Sequence, residues 1–191
     1  MAEIVLFHHA LGLTPGVVTF AERLRTAGHV VYTPDLYDER TFTELVDGVA
    51  YARNTGFNTI IERGVNAAEG LPTDLVYAGI SLGVMPAQQL AQTRAGARGA
   101  LLFSACLPPS EFDGDWPKGV PVQIHMMEND PEVLEGDLDT ARQLAESTDD
   151  AELFLYPGDA HLFMDNSLPD YDEKASTLLR ERVLDFLDTT K

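Results

Sequence analysis

The feature that most constrains this chain is an alternation. Short apolar, β-branched runs recur along it, separated by stretches in which apolar residues return at helical spacing. The runs Ile4 to Phe7, His29 to Thr33, Leu75 to Gly79, Ala100 to Phe103, Val120 to Met126 and Glu152 to Tyr156 read as six strands. Continuous apolar strands alternating with helices are the pattern of a mostly parallel, open sheet covered on both faces.

The intervening segments carry helix signals. Thr14 is placed as an N-cap with Pro15 at the first helical position, Val17, Phe20, Ala21 and Leu24 on one face, and Gly28 as terminator. Thr41 and Glu44 have the spacing of a capping box ahead of Leu45, Val46 and Val49, and a further helix is expected from Asn58 to about Glu69. Helices after Ser81, around Leu138 to Glu146 and from about Tyr171 to Leu187 complete the set, with a local bend expected where Pro86 withholds a donor from the Leu82 carbonyl. With 191 residues, 45% of them hydrophobic, the chain supplies one core, and residues 1–191 read as one α/β domain.

A formal net charge of −18 repels phosphate backbones and anionic headgroups, which argues against nucleic-acid and membrane-surface partners and for a neutral or cationic small molecule. Cys106 is the sole cysteine, so neither an internal disulfide nor a thiol pair for structural zinc is available, and a reducing compartment is expected. Met1-Ala2-Glu3 runs straight into the first strand with no basic and apolar leader, which points to a cytoplasmic protein.

Chemistry concentrates at Gly79-Ile80-Ser81-Leu82-Gly83. A serine hydroxyl becomes a useful nucleophile when a sharp strand-to-helix turn projects it toward a base, and such a turn needs small neighbours. A chance match to this spacing arises in roughly one chain of this length in twenty, so context decides. Here an apolar strand ends at the motif and a helical pattern, Val84, Ala87, Leu90 and Ala91, begins there. Ser81 is therefore the candidate nucleophile.

In α/β-hydrolases the catalytic groups follow the order serine, acid, histidine. His161 lies after the last strand and before the last helix, where a loop can bring its imidazole to the serine. The loop after the fifth strand offers Glu128, Asp130 and Glu132 as the acid; Asp130, preceding Pro131 at a turn, is chosen, with Glu128 its competitor. An oxyanion hole needs two backbone donors: the N–H of Leu82, and one from His8-His9-Ala10-Leu11-Gly12, assigned to Ala10, with Leu11 or His9 as neighbours in that role.

Other reactive side chains read as structural. His125 sits within an apolar strand and is expected to be packed and hydrogen-bonded. His8 and His9, adjacent on an extended segment, point to opposite faces and cannot chelate one ion, so no metal is implied. Cys106 lacks the flanking glycines of an elbow and reads as a partly buried thiol. The segment Pro108 to Gly119 is a candidate border of the cleft.

Over nearly its whole length the chain resembles the dienelactone hydrolase family of α/β-hydrolases. Thr33-Pro34-Asp35-Leu36-Tyr37 is similar to that family's PDLY segment, and Phe7 to Leu13 to its oxyanion loop. Gly79 to Gly83 and Tyr156-Pro157-Gly158 to His161-Leu162-Phe163 resemble its elbow and histidine loop. The resemblance implies a compact α/β-hydrolase fold without a separate lid domain. The chain departs from the family at three places. Ser81 stands where dienelactone hydrolases proper have cysteine, His9 where they have a glutamate, and Asp165 where they have a substrate-binding arginine four residues after the histidine.

These readings converge on hydrolysis of a small carboxylic ester, thioester or lactone through an acyl-serine, with no metal or organic cofactor. A ligand-binding member of the fold without activity, and an acyltransferase using the same residues, are the other classes considered. Arg53 and Arg63, read as solvated helix-face residues, are the cations that an anionic substrate would call on.

Overall fold

The computed structural model describes residues 1–112 and 114–190. Six strands form one sheet in which every pairing is parallel: β1 (Glu3–Phe7), β2 (Val30–Tyr32), β3 (Val76–Ile80), β4 (Gly99–Phe103), β5 (Val122–Met127) and β6 (Ala151–Tyr156). All six coincide with apolar runs in the sequence, because a parallel strand covered on both faces must be apolar along its length. β3, β4 and β5 are buried at every residue, whereas β6, at one edge, exposes part of its length.

The strand order β2-β1-β3-β4-β5-β6 places the functional loops. The chain leaves β1 toward β2 on one side and returns to build β3 on the other. With right-handed crossovers, α1 (Pro15–Thr26) therefore covers one face, and α2 (Leu45–Thr55), α3 (Phe57–Glu69), α4 (Val84–Thr93) and, beyond the short α5 (Pro131–Leu134), α6 (Asp137–Ser147) cover the other. α7 (Glu173–Thr189) returns to the face of α1. The core is accordingly two layers. Phe20, Leu24, Leu179 and Val183 pack with Ile4, Val76, Leu101 and Phe103, while Ile60, Ala87, Leu90 and Leu144 pack with Val5, Tyr77, Leu102 and Ile124. The reversal of strand order between β1 and β3 opens a crevice at their carboxyl ends, the usual ligand position in an open α/β sheet.

The first helix forms as its cap signals specify: the Thr14 side chain accepts from Val17 N at 3.3 Å, Pro15 is the first helical residue, and Gly28 follows with φ +96°. The capping box at Thr41 and Glu44 does not form. α2 begins only at Leu45, and Glu44 makes no side-chain cap. A tertiary bond takes precedence: Phe42 N donates to Leu11 O at 3.0 Å, and the Phe42 ring packs against Tyr37 and Tyr51. Nor does Pro86 interrupt its helix. A 3₁₀ turn over Ser81–Gly83 precedes α4, so Pro86 falls in the first turn, whose N–H groups have no acceptor within that helix. Its ring fills the space a Cβ on Gly64 of α3 would need, 2.4 Å away.

Among the described residues no helix is long and apolar enough to cross a membrane, and no group of three or more His, Cys, Asp or Glu is placed to hold a metal ion.

Candidate active site

Ser81 is the first residue after β3, with φ +50°, a left-handed conformation that costs a side-chain-bearing residue roughly 1–3 kcal/mol. The flanking glycines make the turn possible. A Cβ on Gly79 would lie 2.1 Å from Gly83 O, and one on Gly83 would lie 2.4 Å from Phe7 O and 2.7 Å from His8 O. The elbow thus presses directly on the end of β1: a side chain at Gly83 would push the two segments apart, and one at Gly79 would force the turn itself open.

The loop after β6 brings His161 to this serine: Ser81 Oγ and His161 Nε2 are 2.8 Å apart. On the other side of the ring, His161 Nδ1 is 2.6 Å from Asp130 Oδ2. A carboxylate only accepts, so the ring proton sits on Nδ1 and Nε2 is free to accept from the serine hydroxyl. Asp130 is fully buried and its second oxygen accepts from Glu132 N at 2.9 Å, capping α5 and holding the carboxylate still. Glu128, its competitor in the sequence, is exposed, as is Glu132. Ser81, Asp130 and His161 are therefore brought together from three separate loops.

The loop after β1 is held from both sides by its two histidines, which point in opposite directions. His8 Nε2 accepts from Leu36 N at 2.9 Å, so its Nδ1 carries the proton and donates to His9 O at 2.8 Å. Burial lowers the His8 pKa to about 4, against a smaller raising effect from the bond to His9. His9 Nδ1 accepts from Leu11 N at 3.2 Å, which places the other ring proton on Nε2, 2.8 Å from Asp165 Oδ2. Leu11 has therefore spent its N–H inside the loop, as has Gly12, which donates to His9 O. The N–H groups of Ala10 and Leu82 take part in no turn, loop or cap hydrogen bond among the described residues.

Three residues with no motif of their own support this arrangement. Ser104, buried at the end of β4 with φ +58°, donates from Oγ to the His161 carbonyl at 2.6 Å. Asp137, at the start of α6, accepts from Cys106 N at 2.7 Å. Burial raises its pKa above the usual carboxylate value, and it feels the charges of both His161 and Asp130. Asp165 is buried and accepts from His9, Thr14 and Ser167; burial alone would raise its pKa, but these donors together bring it down to about 2. Sequence offers a signal only for Asp165, as the residue four places after His161.

The remaining candidates fall elsewhere. Cys106 is fully buried rather than partly so, and burial, with the Asp137 charge adding, pushes its thiol up to about 12. His125 stacks on Phe154 and bonds Tyr156 Oη at 2.8 Å and Gln123 Oε1 at 3.2 Å; burial lowers its pKa to about 3. The segment around Pro108, Trp116 and Lys118 borders an open groove of about 870 Å³ against α6, and Ser81, Asp130 and His161 do not line it.

A six-stranded parallel sheet with this elbow at the end of its third strand defines an α/β-hydrolase fold. The model of the dienelactone hydrolase family matches residues 1–191, and the chain belongs to that family; its activity class is that of a hydrolase. Solved structures share the fold at low identity. A candidate dienelactone hydrolase of Klebsiella pneumoniae is 16% identical with a TM-score of 0.76, the match covering 98% of this chain and 87% of that one. A dienelactone hydrolase-like promiscuous phosphotriesterase from metagenomic libraries is 18% identical with a TM-score of 0.75, covering 100% of this chain and 87% of that one. A cold-adapted esterase from an Arctic intertidal metagenomic library is 19% identical with a TM-score of 0.67, covering 99% and 82%. A search of curated proteins found no match.

Proposed function

We propose that the protein is a serine hydrolase that cleaves a small carboxylic ester, thioester or lactone through an acyl-serine intermediate. One observation carries this reading: a left-handed serine at the carboxyl end of β3 whose Oγ meets His161 Nε2 at 2.8 Å, while Nδ1 of the same ring meets a buried Asp130 at 2.6 Å. His161 takes the Ser81 proton as Oγ attacks the carbonyl carbon. The Leu82 and Ala10 amides receive the developing oxyanion. Asp130 stabilises the imidazolium until His161 protonates the leaving group, and water, activated by the same imidazole, then releases the acid. No step calls for a metal or an organic cofactor.

The test is labelling with a fluorophosphonate followed by peptide mapping, alongside Ser81→Ala. The label is expected on Ser81, and the alanine variant is expected to lose labelling and ester turnover while keeping its thermal midpoint. A label on another residue, or full turnover by the variant, overturns the reading.

A further inference from the structure

Asp165 lies four residues beyond His161 and joins its own loop to the connection between β1 and α1 at the other end of the chain. It accepts from His9 Nε2 in the loop after β1, from the Thr14 hydroxyl at the start of α1, and from Ser167 N and Oγ in its own loop at 2.8 and 2.6 Å. Thr14 in turn caps α1 through Val17 N, and Gly16 N donates to Ser167 Oγ at 3.2 Å. The carboxylate occupies the space a side chain at position 16 would need: a Cβ on Gly16 would lie 1.6 Å from Asp165 Oδ1. Both His9 and Asp165 have fully buried side chains, so neither is a solvated surface pair.

The direction of each bond matters. Because Asp165 accepts from Nε2–H, the His9 ring is held in the tautomer whose Nδ1 accepts, and that nitrogen takes the Leu11 N–H. With Gly12 N bound to His9 O, the loop is folded so that the Ala10 amide between them is left without a partner in the loop. Such a donor works only if it is already aimed where charge will develop.

We propose, on the basis of the acyl-serine reading above, that Asp165 is a positioning residue: through His9 it aims the Ala10 amide and ties the oxyanion loop to the loop that carries His161. The carboxylate touches no reacting atom. Its effect is to keep the oxyanion donor and the general base in one fixed relation, because one buried group anchors both loops.

Asp165→Asn separates this from a general packing role. An amide that keeps Oδ1 for the two Ser167 donors puts its NH₂ in the place of Oδ2, where the Thr14 hydroxyl can turn to accept from it but His9 Nε2–H faces a donor, and moving the ring proton to Nδ1 would set it against Leu11 N–H. His9→Asn breaks the same bond from the other side: its amide oxygen can still accept from Leu11 N–H but does not reach Asp165, which keeps Thr14 and Ser167. This second variant reads the same bond if D165N does not fold. Active-site titration with a fluorophosphonate first counts competent serines, so that misfolded molecules drop out. Per titrated site, kcat for a neutral ester is expected to fall about 10- to 100-fold in each variant, short of the roughly 10²- to 10³-fold for deleting a donor, with KM within about twofold. The double variant is expected to be no worse than either single, since both remove one interaction. Unchanged kcat per titrated site in a folded variant, or losses that add in the double, overturns the proposal. A wild-type protein that neither labels nor hydrolyses esters would instead remove the reading beneath it.

Discussion

The hydroxyl of Ser104 donates to the backbone carbonyl of His161 across 2.6 Å, joining the end of β4 to the loop that carries the imidazole. His161 has no regular secondary structure of its own, and its loop spans the gap between β6 and α7. Its ring is positioned by Asp130, but its main chain is positioned by Ser104.

Two substitutions at this residue are expected to separate catalysis from stability. Ser104→Ala and Ser104→Gly both remove the bond to His161 and are expected to lower kcat by a similar factor, about tenfold. They differ in backbone cost: at φ +58° glycine is unstrained, so the glycine variant is expected to be more stable than the alanine variant by about 1 kcal/mol in urea unfolding. Equal stabilities would remove the strain argument, and wild-type kcat in both would remove the positioning argument.

The acid is tested by an asymmetric pair. Asp130→Asn keeps the shape of the carboxylate but places a donor against His161 Nδ1–H and cannot stabilise an imidazolium. A loss in kcat of the order of 10⁴-fold is expected, as for the equivalent change in a serine protease triad. Glu128→Gln, on an exposed side chain of the same loop, is expected to stay within about twofold of wild type. Steady-state kinetics on one ester decides between them, and the opposite ranking would move the acid to Glu128.

Two of the buried histidines, His8 and His125, make stability depend on pH. Burial lowers the pKa of His8 to about 4 and, with the Arg182 charge contributing, that of His125 to about 3, against 6.5 in the unfolded chain. Between those values the unfolded state binds the extra proton, so each group's stabilising effect is complete above about pH 6.5 and falls away as the pH drops toward its folded value. Between pH 7 and pH 5 each histidine is expected to cost about 2 kcal/mol. His125→Phe keeps a ring among Phe103, Phe154 and Tyr156 but cannot titrate. Its unfolding free energy is expected to drop by about 2 kcal/mol less than that of wild type over this interval. An unchanged pH dependence would contradict the assignment.

What sequence makes legible follows from the range of the forces involved. The strands show because a doubly covered sheet writes burial along each strand, and Ser81 and His161 show because an elbow needs glycines at fixed offsets from the serine and the histidine follows in chain order. The capping box at Thr41 fails because Phe42 is held by Leu11, some thirty residues upstream. Ser104 leaves no trace, since a left-handed serine has no compositional signature. Asp165 can be noticed by its offset from His161, but its partners His9 and Thr14 lie at the other end of the chain, and no local pattern reports contacts of that range.

The charge of the substrate is the remaining determinant, and the site's own charges indicate the preference. The Asp137 carboxylate is close enough to His161 and Asp130 to feel both, and the protein carries a net charge of −18. Of the two arginines that an anionic substrate would call on, Arg63 is committed to Asp38 at 2.9 Å and to Leu36 O at 2.7 Å, and Arg53 is exposed on α2. At the position four residues after His161, Asp165 is buried and satisfied by its own donors, so it offers no cation. A substrate carboxylate would thus enter a field of its own sign, and Arg63, already paired, is not free to give it the charge-assisted bonds that are worth about 1.5–3 kcal/mol each. Short neutral acyl esters are expected to show kcat/KM about 10- to 100-fold higher than isosteric esters bearing a free carboxylate. The gap is expected to narrow when ionic strength rises from about 0.01 M to about 1 M, as the screening length contracts from roughly 30 Å to 3 Å. Measuring the ester pair at both ionic strengths checks this, and a preference for the carboxylate ester would mean that a cation elsewhere in the cleft reaches the substrate.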